Sequence, residues 1–315
     1  MKRIALFGAT GHIGKGIIYK YPSSEWRLSL FSRNVTNATR FLGGLSQDRG
    51  LVDIKEYGDF LAGEYDVVIN AAGPGDPAKI RESGSGIFEI TEYFDNLALR
   101  YLANHPTSAY INISTGVLYG DAYESMACED SLFSVSLNKP ADKYHGYRVA
   151  KLNAEAKHRF LPQCAIADVR VFGYFSRFID PNGMFFLSQV VRCLQKKKVF
   201  ETSEEDFVRD YIGMDEIVDF VRKLIAAGTP NNSYDIYSAR PTTKWELIEV
   251  LRDRFGLLCQ TPSGRKKVCP PLISRYDRAV EIGYRPGRTS LDVIVSEMAA
   301  LLQQSKGAMP LPESC

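Results

Sequence analysis

The sequence predicts an α/β fold, a doubly wound parallel sheet with a smaller, mostly C-terminal lobe. Three observations predict it. Short apolar runs that stop at small residues recur up to residue 172, helix-spaced apolar residues lie between them, and connections after Gly173 become longer and less regular. Ile4-Ala-Leu-Phe7 reads as the first buried strand, and Gly8-Ala-Thr-Gly11-His-Ile-Gly14 follows at once. Ile13, Ile17 and Ile18 then keep helical spacing. Trp26 to Phe31 is the second strand. Glu64 to Ile69 runs into Asn70-Ala-Ala-Gly73, again an apolar strand that stops at small residues. A helix from about Ile87 to Asn104 precedes a strand at Ala109 to Ile113, which ends at Ser114-Thr115-Gly116. A helix carrying Tyr147 runs to about Arg159, and Ala165 to Phe172 is one more strand. Pro181-Asn-Gly183, Thr229-Pro-Asn-Asn232 and Cys269-Pro-Pro271 break up the second half, and the tail from Gln303 to Cys315 is expected to be loosely held. The expected division is residues 1–172 and 173–315, with about 207–240 returning to the first body.

A chain of 315 residues supports a large core and two unequal domains. Its net charge of +2 gives no reason to expect nucleic acid or a membrane surface as partner. The six cysteines are scattered, with no Cys-x-x-Cys and no histidine spacing for zinc, so the expectation is free thiols, no metal and a reducing cytoplasm. Met1-Lys-Arg before Ile4 to Phe7 mimics the start of a signal peptide, but Gly8 to Gly16 interrupt the apolar run too early. No stretch approaches the ~18 apolar residues of a membrane helix.

Gly8, Gly11 and Gly14 stand where a strand turns into a helix. Glycine there lets the backbone approach a pyrophosphate, whose charge then faces the helix N-terminus. The spacing is Gly-x-x-Gly-x-x-Gly, and Gly16 after Lys15 sets aside a P-loop. A glycine turn without a ligand is the bland alternative, which its place directly after the first strand disfavours. The cofactor-binding candidates of this Rossmann-type turn are Gly8, Thr10, Gly11, His12, Ile13 and Gly14. The second strand ends at Phe31-Ser32-Arg33-Asn34, and no acidic residue lies between Glu25 and Asp48. A site for NAD(H) usually offers a carboxylate here to the ribose hydroxyls. Ser32 and Arg33 instead suit a 2′-phosphate, so NADP(H) is the expected cofactor, with NAD(H) the alternative.

Tyr147 and Lys151 lie four residues apart on a predicted helix, hence on one face. None of the other 16 tyrosines has a lysine four residues on. A nearby ammonium favours the phenolate, so the pair is expected to lower the tyrosine pKa and make it a usable acid and base.

Together these residues resemble the extended short-chain dehydrogenase/reductase family, specifically its nucleotide-sugar epimerases, dehydratases and ketoreductases. The resemblance runs over nearly the whole chain, through Gly8 to Gly14, Asn70-Ala-Ala-Gly73, Ile113-Ser-Thr-Gly-Val-Leu-Tyr-Gly120 and Tyr147 with Lys151. It continues in Val208-Arg-Asp-Tyr-Ile212 with Asp215, Tyr234 to Ser238, and Gly283-Tyr-Arg-Pro286 with Ser290-Leu291. It implies a catalytic triad of Thr115, Tyr147 and Lys151, with Thr115 standing 32 residues (147 − 115) before the tyrosine. In that resemblance Tyr147 protonates a carbonyl oxygen that Thr115 holds, and Lys151 holds the nicotinamide ribose. Asn70, Ala71, Ala72 and Gly73 would line the cofactor, and Asn96 matches a helix asparagine of the family. Ser114 is a second candidate beside the triad hydroxyl. Arg209 and Arg275 would meet the diphosphate of a nucleotide sugar. Where the family usually carries an asparagine for that diphosphate, this chain has Gly173. A homodimer through two helices is also implied.

Three reactions compete. A 4,6-dehydratase needs an acid pair after the triad hydroxyl, whereas Gly116-Val117 follows Thr115. A 4-epimerase keeps its NAD, which Ser32-Arg33 does not favour. The reading is therefore NADP(H)-dependent reduction of a keto group, at C4 of a 6-deoxy nucleotide sugar, with the NAD-retaining 4-epimerase as the alternative. Cys128 and His145 are candidates for an accompanying epimerisation, against bland packing roles. A non-catalytic NADP(H)-binding module is the reading from another class, and retention of both Tyr147 and Lys151 speaks against it.

Overall fold

The computed structural model describes residues 1–45, 51–119, 126–129, 131, 135, 138, 144–261 and 271–307, the last three as backbone alone. Gly120, Cys269 and the tail beyond residue 307 lie outside the described residues. The strands are β1 (Lys2–Phe7), β2 (Trp26–Phe31), β3 (Val52–Lys55), β4 (Val67–Asn70), β5 (Ala109–Thr115), β6 (Ala165–Val171), β7 (Phe200–Glu201), β8 (Val208–Arg209), β9 (Asn232–Ile236), β10 (Thr242–Thr243) and β11 (Cys259–Gln260). The helices are α1 (His12–Lys20), α2 (Val35–Gly43), α3 (Pro77–Ser83), α4 (Gly86–Asn104), α5 (His145–Arg159), α6 (Phe186–Lys196), α7 (Met214–Ala226), α8 (Lys244–Phe255) and α9 (Ser290–Gly307).

Alternation along each strand decides the layers. Ile4 and Leu6 of β1, Val67 and Ile69 of β4, Ile111 and Ile113 of β5, and Val169 of β6 face one side, where Ile17 and Ile18 of α1 and Phe220 and Leu224 of α7 cover them. Ala5 and Phe7, Val68, Tyr110 and Ile166 face the other side, against Phe94, Leu97 and Tyr101 of α4. The result is a seven-stranded sheet in the order β3-β2-β1-β4-β5-β6-β9, parallel throughout, which is the doubly wound architecture the sequence predicts. β3 was not legible because it is a four-residue edge strand with no fully buried side chain. A third cluster joins Val190 of α6, Leu251 of α8, Met298 of α9 and Phe200 of β7 away from the large sheet. Among the described residues no helix is long and apolar enough to cross a membrane.

Register brings chemistry to one edge. Phe7 pairs with Phe31 and Asn70, Asn70 with Asn112, and Thr115 with Val171, so β1, β2, β4 and β5 all end on the same side of the sheet. Ligands of such sheets bind beyond these carboxyl ends, at the point where strand order reverses between β1 and β4.

Candidate active site

The glycine turn is held by close backbone packing. Gly8 has φ +75°, and a Cβ there would lie 2.4 Å from the Ala71 carbonyl oxygen; one on Gly14 would lie 2.2 Å from the Gly8 carbonyl oxygen. Only glycine therefore seats the start of α1 against the turn at Asn70 to Ala72. Gly11 caps α1 without a side-chain hydrogen bond, and no acidic residue occupies the first turn. The free amides of that turn and the bare backbone form a cradle that fits a dinucleotide pyrophosphate. Thr10 and Ile13 are half-buried beside it. His12 packs edge-on to Tyr174 with ring centroids 4.6 Å apart, and burial pulls its pKa down to about 4 against a hydrogen bond to the Ser176 backbone. It is neutral and seats α1 on the segment after β6. Sequence reasoning missed Tyr57, whose hydroxyl accepts the Gly8 amide at 3.0 Å. Nothing local to residue 57 signals a contact 49 residues away.

At the end of β2 the chain turns through side-chain bonds. The buried Ser32 hydroxyl accepts the Asn34 amide at 3.1 Å, and the Asn34 side chain accepts the Asn37 amide at 2.9 Å, capping α2. Arg33, between them, is exposed. Burial pushes the Tyr57 phenol up to about 12 against the hydrogen bond from the Gly8 amide and the opposing charge of Arg33.

Thr115 ends β5 and Tyr147 lies in the first turn of α5. A hydrogen bond between their hydroxyls favours ionisation of Tyr147, but burial dominates and pushes the phenol up to about 12. This corrects the expectation of a tyrosine acidified by Lys151. The Lys151 ammonium is buried and donates to the Ile113 carbonyl at 3.0 Å. Burial lowers its pKa, while Asp95, Asp168 and Glu155 oppose that fall. Lys151 thus lies beneath the end of β5, on the same face of α5 as Tyr147. Asn70 is buried, and its Oδ1 accepts the Ala72 amide at 3.1 Å, fixing the turn that abuts Gly8. Gly73, at φ +123°, carries the chain away from it.

Other candidates fall elsewhere. The Ser114 hydroxyl donates to Glu155 at 2.5 Å, and Arg170 also holds that carboxylate, so the Ser114 proton is engaged away from Thr115. Glu155 lies four residues past Lys151 on the same face, a spacing visible in the sequence but unread there. Asn96 is exposed and accepts from Lys157 at 3.0 Å, away from the glycine turn. A Cβ on Gly116 would lie 2.4 Å from the Phe172 ring, so no carboxylate fits there. Arg209 is half-buried over Phe207, 5.1 Å from the ring centroid, and its backbone bridges Leu272. Arg275 is exposed, three residues further along that segment, and its amide donates to the Ala127 carbonyl at 2.7 Å. Cys128 is exposed next to Ala127, and His145 opens α5 half-buried.

Gly173 is a packing requirement. A Cβ there would lie 2.4 Å from the Asp210 carbonyl oxygen and 2.9 Å from the Tyr211 ring. Gly173→Asn is therefore expected to destabilise the protein by about 1–3 kcal/mol, moving the urea midpoint down with the slope unchanged. An unchanged midpoint would show that Asp210 and Tyr211 give way freely.

Residues 4–238 match the model of a family described as the NAD dependent epimerase/dehydratase family. The chain is similar in structure to UDP-glucose 4-epimerase from Thermotoga maritima solved with UDP-glucose, with a TM-score of 0.78 and 17% identity over 96% of this chain and 99% of that one. It is similar to dTDP-glucose 4,6-dehydratase from Bacillus anthracis in complex with NAD, with a TM-score of 0.76 and 15% identity over 97% and 98% of the two chains. For UDP-N-acetylglucosamine 4-epimerase from Methanobrevibacter ruminantium the TM-score is 0.78, with 14% identity over 98% and 99%. No curated protein sequence matches.

Proposed function

The chain belongs to the NAD-dependent epimerase/dehydratase family, enzymes of the extended short-chain dehydrogenase/reductase type, and within it we propose that it reduces a keto group, at C4 of a 6-deoxy nucleotide sugar, with NADP(H). The observation that carries the cofactor choice is the end of β2, where exposed Arg33 follows Phe31, the register partner of Phe7 just before the glycine turn, and no acidic residue lies between Glu25 and Asp48. A guanidinium there binds a 2′-phosphate, whereas a ribose hydroxyl pair is served by an acid. The bound nicotinamide supplies hydride to the carbonyl carbon.

The protein's part is proton delivery and placement. Burial keeps Tyr147 a phenol at neutral pH, the form a reductase needs as donor. Its Oη gives a proton to the carbonyl oxygen as that oxygen gains charge, and the Thr115 hydroxyl bonded to Tyr147 holds the same oxygen. Lys151, two turns into α5, presents its ammonium below them to orient the nicotinamide ribose. Gly8, Thr10, Gly11, His12, Ile13 and Gly14 shape the pyrophosphate cradle; Asn70, Ala71, Ala72 and Gly73 form its far wall. Arg209 and Arg275 are assigned to the substrate diphosphate, in a pose adapted to the missing side chain at Gly173. Residues 173–315 form the main substrate lobe, with about 207–240 returning to the first body.

A homodimer in the cytoplasm completes the reading. The dimer is supported by the groove of Leu99, Asn153, Ala156, Lys157, Phe160 and Leu161 along α4 and the end of α5, where Phe160 is 87% exposed.

The test is to release and identify the cofactor of the purified protein and to titrate the emptied protein with NADPH and NADH. NADPH is expected to bind at least about tenfold more tightly. Stoichiometric, tightly held NAD would replace the reductase with the 4-epimerase, which would use the same Tyr147 and Thr115.

A further inference from the structure

We propose that a buried hydrogen-bonded chain from His158 through Asp95 and Tyr110 to Asn70 is a positioning device, setting the turn at Asn70 to Ala72 against the helix that carries Tyr147 and Lys151. The inference rests on the dinucleotide reading above.

His158 lies on α5 seven residues (158 − 151) beyond Lys151, with none of its surface exposed. Its Nδ1 meets Asp168 of β6 at 2.9 and 3.0 Å, and its Nε2 meets Asp95 of α4 at 2.8 Å. A neutral imidazole has one N–H, so only the imidazolium donates to both carboxylates. Burial works against that charge, but the bonds and charges of Asp168 and Asp95 outweigh it and hold the ring at about 9. Further groups hold the two carboxylates. Lys157 pairs with Asp95 at 2.6 Å and Arg159 with Asp168 at 2.7 Å, both from α5, and Asn112 of β5 donates to Asp168 at 2.7 Å. The same two aspartates help keep Lys151 charged.

From Asp95 the chain continues to the site. The hydroxyl of fully buried Tyr110, on β5, donates to Asp95 at 3.1 Å and accepts from the Asn70 Nδ2 at 2.9 Å. With its nitrogen so engaged, the Asn70 amide must turn its oxygen to the Ala72 amide. Ala71, between them, is the residue whose carbonyl lies against Gly8. A shift at His158 therefore reaches the turn against Gly8 through four hydrogen bonds, while α5 carries Tyr147 and Lys151 at the other end.

The test compares wild type, Tyr110→Phe and His158→Gln. NADPH affinity is titrated from neutral pH to beyond the His158 transition near pH 9, with a melting curve for each protein. Tyr110→Phe keeps the buried ring and cuts the chain, whereas His158→Gln leaves a carboxylate unmatched and is the harsher change. At neutral pH Tyr110→Phe is expected to melt as a folded protein and to bind NADPH roughly tenfold more weakly. Wild-type affinity is expected to fall more steeply than that of Tyr110→Phe as pH rises through about 9. Any pH response of Lys151 is common to both proteins, so the difference between the curves isolates the chain. His158→Gln is expected to bind weakly at neutral pH too. Equal affinity of Tyr110→Phe and wild type, or parallel pH curves, would overturn the inference while leaving the cofactor reading intact. A wild-type protein that binds no dinucleotide would overturn both.

Discussion

Tyr147→Phe is expected to lower turnover by roughly 10²- to 10⁴-fold, the usual worth of a positioned general acid, while NADPH affinity stays within a few-fold. The ring is half-buried at the first turn of α5, and phenylalanine refills that volume without strain. What disappears is the proton and the partner of Thr115. Lys151 does not compensate, because its ammonium is bonded to the Ile113 carbonyl beneath the site. Single-turnover reduction of a 4-keto nucleotide sugar, followed by loss of NADPH absorbance, separates chemistry from binding. Survival of the fast phase in this variant would remove Tyr147 from the reaction.

Arg33→Asp is expected to weaken NADPH binding by roughly 10- to 100-fold, equivalent to the ~1.5–3 kcal/mol of a hydrogen bond to a charged group, and to strengthen NADH binding. The substitution puts a carboxylate where ribose hydroxyls are met and a repulsive charge where a 2′-phosphate would sit. Because Ser32 and Asn34 fix the turn on either side, the exposed side chain changes without disturbing β2 or α2. Fluorescence titration with both dinucleotides reads the ratio directly. An unchanged ratio would place the 2′-position elsewhere.

Much of the frame was legible because it depends on local pattern. Trp26 to Phe31 is a strand with the ends the apolar run implied, and Ile87 to Asn104 differs from α4 by one residue. The glycine turn was legible too, since close backbone approach dictates residue type there. Charge partnership was not. Lys157-His158-Arg159 reads as a basic helix end, but His158 is fully buried between aspartates 63 and 10 residues away in sequence. Ser114 and Thr115 look interchangeable as letters, yet Glu155, 41 residues on, claims the first and leaves the second to Tyr147. The tyrosine–lysine spacing was read correctly as one helix face; the electrostatics were not, because spacing says nothing of burial.

The late return of β9 has a consequence for how the molecule is made. A nascent chain released as far as Val171 holds six of the seven parallel strands, but β6 then has an open edge and the apolar face over α1 lacks α7. Both gaps close only when Met214 to Ile236 has left the ribosome, after α6 and the first residues of the other lobe. Vectorial synthesis therefore cannot complete the seven-stranded sheet until α6, β7 and β8, which lie outside it, have also emerged.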